Sequence, residues 1–146
     1  MKNKYFLFFI PIILIVLLDQ ITKILAMYKN INLISRLLYI KYAENPGIIF
    51  GWFSHNPLFL YIIPLLIIIL IFIYFYKNKS LMIALGSSFI ISGLLGNIID
   101  RIRLGYVIDF IFIPIWPKYN ISLFNFADLF LIIGVILLIY HNIKDE

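Results

Sequence analysis

Four aspartates set the chemical problem in this sequence. Asp19, Asp100, Asp109 and Asp128 all lie at the ends of long apolar runs, in a chain of 146 residues with five aspartates in total. A carboxylate in or beside a bilayer costs free energy to keep, so each is a functional hypothesis in its own right. Three of the four fall within Gly96–Asp128, which reads GNIIDRIRLGYVIDF, then an aromatic and proline-rich passage, then FNFAD. Two carboxylates that share a site with no metal-type ligands nearby suit acid–base chemistry on a water molecule, one taking a proton while the other gives one. Cysteine is absent, which excludes thiolate catalysis, disulfides and thiol-bound zinc. His55 and His141 have no partner at metal-ligand spacing, and His141 reads as a solvated flank residue. No metal and no cofactor are therefore expected.

The elements that must position these groups are membrane helices. The chain is 64% apolar and 13% charged, with mean hydropathy +1.05, where a soluble domain is roughly half apolar and a quarter charged. An integral membrane protein with a single domain, residues 1–146, is expected. The net charge of +5 comes from basic residues scattered singly or in pairs, a pattern that suits membrane flanks and argues against nucleic acid.

Lys2 and Lys4 precede an apolar run, Tyr5–Leu18, that continues to Met27. With no small-residue cleavage site after it, this run reads as an uncleaved first span, about 20 residues being what a bilayer core requires. Asp19, Thr22 and Lys23 stand at i, i+3 and i+4 on one face of it, and Asp19 and Lys23 are expected to form a structural or substrate-facing pair. Residues 28–56 are less apolar. Leu38–Ala43 is strand-like, Asn45-Pro46-Gly47 breaks the chain, and a second extended piece follows at Ile48–Phe53. A small sheet or loop on the bilayer surface is expected, with Tyr42, Phe50, Trp52 and Phe53 at headgroup level.

Pro57–Tyr76 is a charge-free second helix that Pro64 can kink. Leu81–Ile99 is rich in glycine and serine, which lets backbones approach closely, and should be the buried central helix. Asn97, Asp100 and Arg101 share one face at its end, where Asp100 is expected to pair with an arginine. Leu123–Tyr140 is the fourth helix, with Asn125 and Asp128 one turn apart near its start.

With four spans, the end of the first, the end of the third and the start of the fourth lie on one side. Asp19, Asp100, Asp109 and Asp128 therefore converge on one membrane face, whichever way the protein is inserted. The opposite side has three short segments carrying Lys2, Lys4, Lys77, Lys79 and Lys144, whereas six basic residues on the aspartate side are spread over two long loops. Basic-residue density thus puts the aspartates outside and both termini in the cytoplasm. On residues alone, an enzyme, a proton- or ion-coupled transporter and a structural subunit all remain open.

Five motifs narrow this. Asp19-Gln20-Ile21-Thr22-Lys23, Asn45-Pro46-Gly47 with Phe50, Gly96-Asn97-Ile98-Ile99-Asp100-Arg101, Val107-Ile108-Asp109-Phe110 and Phe124-Asn125-Phe126-Ala127-Asp128 together resemble the bacterial lipoprotein signal peptidases, over the whole length of the chain. The resemblance implies an all-α integral membrane peptidase of four transmembrane helices with a small extracytoplasmic β or loop element. It implies a multi-pass protein of the bacterial cytoplasmic membrane that removes signal peptides from diacylglyceryl-modified prolipoproteins, cutting before the lipidated cysteine. It places a catalytic dyad on Asp109 and Asp128, and gives site-shaping or substrate-binding roles to Asp19, Lys23, Asn45, Asn97, Asp100, Arg101 and Asn125. Membrane lipid is the other expected partner, and a monomer is expected. One departure is visible: Ile49 stands before Phe50 where the family usually has alanine. Residues 38–53 could cover the site as a lid.

Overall fold

The computed structural model describes residues 2–28, 31–34, 38–48, 52–78, 80–112 and 123–144. Its helices are α1 (Lys2–Tyr28), α2 (Ile63–Lys77, entered through a π-helical turn at Leu58–Ile62), α3 (Leu81–Leu104) and α4 (Phe126–Lys144). The four helical stretches Asn3–Tyr28, Leu58–Lys77, Leu81–Leu104 and Phe126–Lys144 are each long and apolar enough to cross a membrane. The π-helical turn answers the expectation of a kink at Pro64. Proline lacks an N–H and crowds the preceding turn, and the N–H of Ile63 bonds back to the Leu58 carbonyl, five residues earlier.

α3 is the central helix. In its most apolar stretch 61% of residues are buried, against 11–17% for the other three helices. Gly86, Ser87, Ser88, Ser92 and Gly93 are all buried along it. Outward-facing leucines, isoleucines and phenylalanines cover α1, α2 and α4, with Phe6 63%, Leu70 64% and Ile143 70% exposed, as suits helices whose outer faces meet lipid. At the end away from the aspartates, the Lys4 ammonium reaches the carbonyls of Tyr76 and Asn78 and sits 4.4 Å from the Phe75 ring centre. That contact ties the start of α1 to the end of α2.

The surface element is a four-stranded antiparallel sheet, larger than the sequence suggests. Its strands β1 (Ile31–Ile34), β2 (Leu38–Asn45), β3 (Val107–Phe112) and β4 (Leu123–Phe124) lie side by side in chain order. The expected partner of 38–43 was the piece at 48–53. Instead β2 pairs with β1 and with β3, Ala43 opposite Asp109 and Asn45 opposite Val107. Past Asn45 the chain leaves the sheet, since Pro46 cannot donate to a ladder. Ile49 and Phe50 lie outside the described residues. Trp52–His55 forms turns in which Phe53 (φ 56°) and His55 (φ 64°) are left-handed. Trp52 and Phe53 are exposed, as expected of a headgroup-level pair.

Two helix ends differ from the sequence reading. α3 runs on to Leu104, because nothing breaks it before Gly105. That glycine adopts φ 84° and donates its N–H to the Arg101 carbonyl at 3.0 Å, the left-handed stop for which glycine is suited. Asp100 and Arg101 are therefore helical, with Asp109 only a short turn away. α4 begins at Phe126 instead of Leu123, because Leu123 and Phe124 extend to pair with β3.

Candidate active site

Asp109 is placed by β3. Side chains alternate along a strand, so Val107 and Asp109 point together toward a cavity while Ile108 turns the other way. Two amides hold the Asp109 carboxylate: Asn125 Nδ2 donates to Oδ1 at 2.8 Å and Asn45 Nδ2 to Oδ2 at 3.0 Å. Asn45 is fixed by its own turn, its Oδ1 accepting the Gly47 N–H and its Nδ2 also reaching the Ile48 carbonyl.

Asp128 is placed by the start of α4. Asn125 Oδ1 accepts the Asp128 N–H at 2.9 Å, and Asp128 Oδ2 accepts the Asn125 N–H at 3.3 Å. This is a reciprocal capping box, with aspartate in the position more often held by glutamate or glutamine. The other carboxylate oxygen, Oδ1, receives Asn97 Nδ2 at 2.7 Å. One residue, Asn125, thus caps the helix that carries Asp128 and hydrogen-bonds Asp109.

Both carboxylates line a cavity of about 470 Å³. Asn45, Asn97, Arg101, Asp109 and Asp128 make its polar end, and Ile63, Ile67, Leu94, Leu131 and Ile132 make apolar walls contributed by α2, α3 and α4. Arg101 donates through Nη2 to the Gly47 carbonyl at 2.8 Å, which ties the Asn45-Pro46-Gly47 turn to α3. Its buried Nε has no hydrogen-bond partner among the described residues. Burial, reinforced by the negative charge of Asp128, pushes the Asp109 carboxyl up to about 7, while the Asn45 and Asn125 donors and Lys23 oppose the rise.

A second, fully buried charge cluster lies beside this cavity. Lys23 Nζ is 2.8 Å from Asp19 Oδ2, 2.8 Å from Asp100 Oδ2 and 3.1 Å from Asn97 Oδ1. Asp19, Lys23 and Asp100 are 0%, 1% and 1% exposed. Asp19 Oδ1 accepts the Ala127 N–H at 3.0 Å, and Asp100 Oδ2 accepts the Ile108 N–H at 3.1 Å. Gln20 Nε2 donates to Asp100 Oδ1 at 2.9 Å while its Oε1 receives Arg103 Nη1 at 2.9 Å.

Every sequence-predicted site residue thus falls into one of two connected groups. Asn45, Asn97, Arg101, Asp109 and Asp128 line the cavity, Asn125 bonds to both aspartates of that group, and Asp19, Lys23 and Asp100 form the buried cluster. One expectation is corrected: Asp100 pairs with Lys23 and not with an arginine, because Arg101 turns to Gly47 and Arg103 to Gln20. Thr22 shares a face with Lys23 but bonds back to its own helix, at the Leu18 and Asp19 carbonyls. Sequence reasoning missed Gln20, although its place between Asp19 and Lys23 in the motif was a signal. It also missed the backbone N–H groups of Ile108 and Ala127, which no residue type announces.

Residues 11–144 match the family model described as Signal peptidase (SPase) II. The lipoprotein signal peptidase of Clostridium tetani is 39% identical over 144 residues, covering 94% of this chain and 92% of that protein. That of Halothermothrix orenii is 37% identical over 144 residues, covering 94% and 96%. A bacterial membrane enzyme solved by the in meso method at 2.3 Å resolution superposes with TM-score 0.83 at 33% identity, over 94% of this chain and 91% of that one. A second, at 1.9 Å, gives TM-score 0.82 at 33% identity over 95% and 97%. A multi-pass membrane protein with this sequence, architecture and carboxylate-lined cavity belongs to the signal peptidase II family of peptidases.

Proposed function

We propose that this protein is an aspartic endopeptidase that removes signal peptides from diacylglyceryl-modified prolipoproteins, cutting before the lipidated cysteine, with Asp109 and Asp128 as the catalytic dyad. One observation carries the reading: two carboxylates from different elements face one cavity, each held by amide donors and neither by a lysine. Its relatives named lipoprotein signal peptidase supply the substrate class.

In this reading the dyad shares one proton, and Asp109, pushed up to about 7, is the member that holds it. Asp128 takes a proton from a water between the two, that water attacks the scissile carbonyl, and Asp109 donates its proton to the carbonyl oxygen. Collapse of the resulting gem-diol returns one hydroxyl proton to Asp109 as the amine leaves with the proton held by Asp128, which restores the starting dyad. Arg101, at the polar end of the cavity, places a guanidinium beside the two carboxylates where a substrate peptide would lie. The apolar walls suit acyl chains, so the lipid stays in the bilayer while the peptide bond sits at the polar end. The enzyme works as a single-domain monomer with the dyad on the extracytoplasmic face and both termini in the cytoplasm.

The test is a gel-shift assay of purified protein on a diacylglyceryl-modified prolipoprotein, with no added metal and run both with and without chelator. Cleavage by wild type, lost in Asp109→Asn and in Asp128→Asn at equal abundance and with intact melting, is the expected outcome. Retained cleavage in either variant removes that residue from the dyad. Sensitivity to chelator moves the chemistry to a metal, and inactivity of wild type returns the transporter reading.

A further inference from the structure

Resting on the dyad reading, we propose that Lys23 is a positioning residue that fixes the separation of Asp109 and Asp128. The buried ammonium spends its three N–H donors on Asp19, Asp100 and Asn97. Each acceptor leads to the dyad by a different route. Asp19 holds the N–H of Ala127, the residue before Asp128. Asp100 holds the N–H of Ile108, the residue before Asp109. Asn97, its oxygen turned toward Lys23, is left with Nδ2 facing Asp128.

One cation on α1 therefore joins the backbone that carries one carboxylate to the backbone that carries the other. Those backbones belong to different elements, β3 and the first turn of α4. In the contacts above, Asn125 is the other link between the two carboxylates. An ion cluster this deeply buried is no efficient source of stability, because apolar side chains often replace such groups at no loss. What apolar side chains cannot do is hold two specific N–H groups at a fixed spacing. Catalysis by a shared proton depends on that spacing, and a misplacement of about 1 Å costs about 100-fold in rate.

The test separates positioning from folding. Single-turnover kcat and KM are measured on the diacylglyceryl-modified prolipoprotein, per folded molecule, for wild type and Lys23→Met. Two further chains carry an ester in place of the amide at residue 127 or at residue 108, through the matching α-hydroxy acid. Each ester removes one anchoring N–H and leaves every side chain and charge in place, so these chains decide the question even where Lys23→Met does not fold. Lys23→Met should lose about 100-fold in kcat, with KM within about 3-fold, and each ester about 10-fold in kcat with KM unchanged. Wild-type kcat in both ester chains, or in folded Lys23→Met, overturns the proposal and leaves the cluster purely structural. Failure of wild type to cleave, or cleavage by Asp109→Asn, sinks the dyad reading instead, so the two failures are distinguishable.

Discussion

Two pairs of aspartates lie close together in this protein and are held differently. Asp19 and Asp100 share an ammonium at 2.8 Å each. Asp109 and Asp128 are held by asparagine donors and by each other's proximity, with Lys23 acting on Asp109 only as a weaker opposing charge. Burial separates the pairs only in part: Asp109 is 3% exposed against 0% and 1% for Asp19 and Asp100, while Asp128 is half-buried. The nearest counter-ion separates them further. Asp19 and Asp100 have the Lys23 ammonium against them, and each also accepts a backbone N–H. Asp109 and Asp128 have amide donors, each other's charge and the Arg101 guanidinium nearby, an arrangement that in the proposed reading lets the pair share a proton for hydrolysis.

The largest break in this comparison should come from Asp109→Asn and Asp128→Asn, which lower turnover by about 10⁴-fold or more at unchanged abundance, read by gel shift and thermal melt. Gly96→Ala attacks the other pair. A Cβ at Gly96 would stand 2.6 Å from Asp19 Oδ2 and 3.1 Å from the Ala127 Cβ. Overpacking of this kind should cost about 2 kcal/mol, seen as a lower melting temperature.

The pH dependence sharpens the contrast further. Cleavage should fall as pH rises through about 7, where Asp109 loses the proton it donates. Stability follows the same group. Because the fold raises the Asp109 pKa, its contribution is full below the ordinary carboxylate range and is lost as pH rises through about 7. Asp109→Asn should therefore raise the melting temperature most at pH 8.5, by about half as much at pH 5.5, and little at pH 3.5. The smallest effect is expected of Asn45→Ala, which removes one of two amide donors to Asp109 and should cost about 10-fold in turnover.

Much of this was legible before any coordinates. Four apolar runs and the parity of membrane crossings bring Asp19, Asp100, Asp109 and Asp128 to one end. The spacing of Asn125 and Asp128 carries a helix start. The sheet was only half visible: the strand content of 38–43 shows locally, but its partner β3 lies more than sixty residues away, and non-local pairing leaves no local mark. The partner of Asp100 was missed for a similar reason. Sequence gives the face of each helix, but the rotation of α1 against α3 decides that Lys23, not Arg101 or Arg103, reaches it.

The four-residue spacing of Asp19 and Lys23 on α1 also bears on how the chain enters the bilayer. Aspartate near the end of an apolar helix opposes insertion, and its partner on α4, the Ala127 N–H, emerges long after α1. Lys23, one turn along the same helix, travels with it. The i, i+4 pair places a counter-ion for Asp19 within α1 itself, so its compensation does not wait for the later helices.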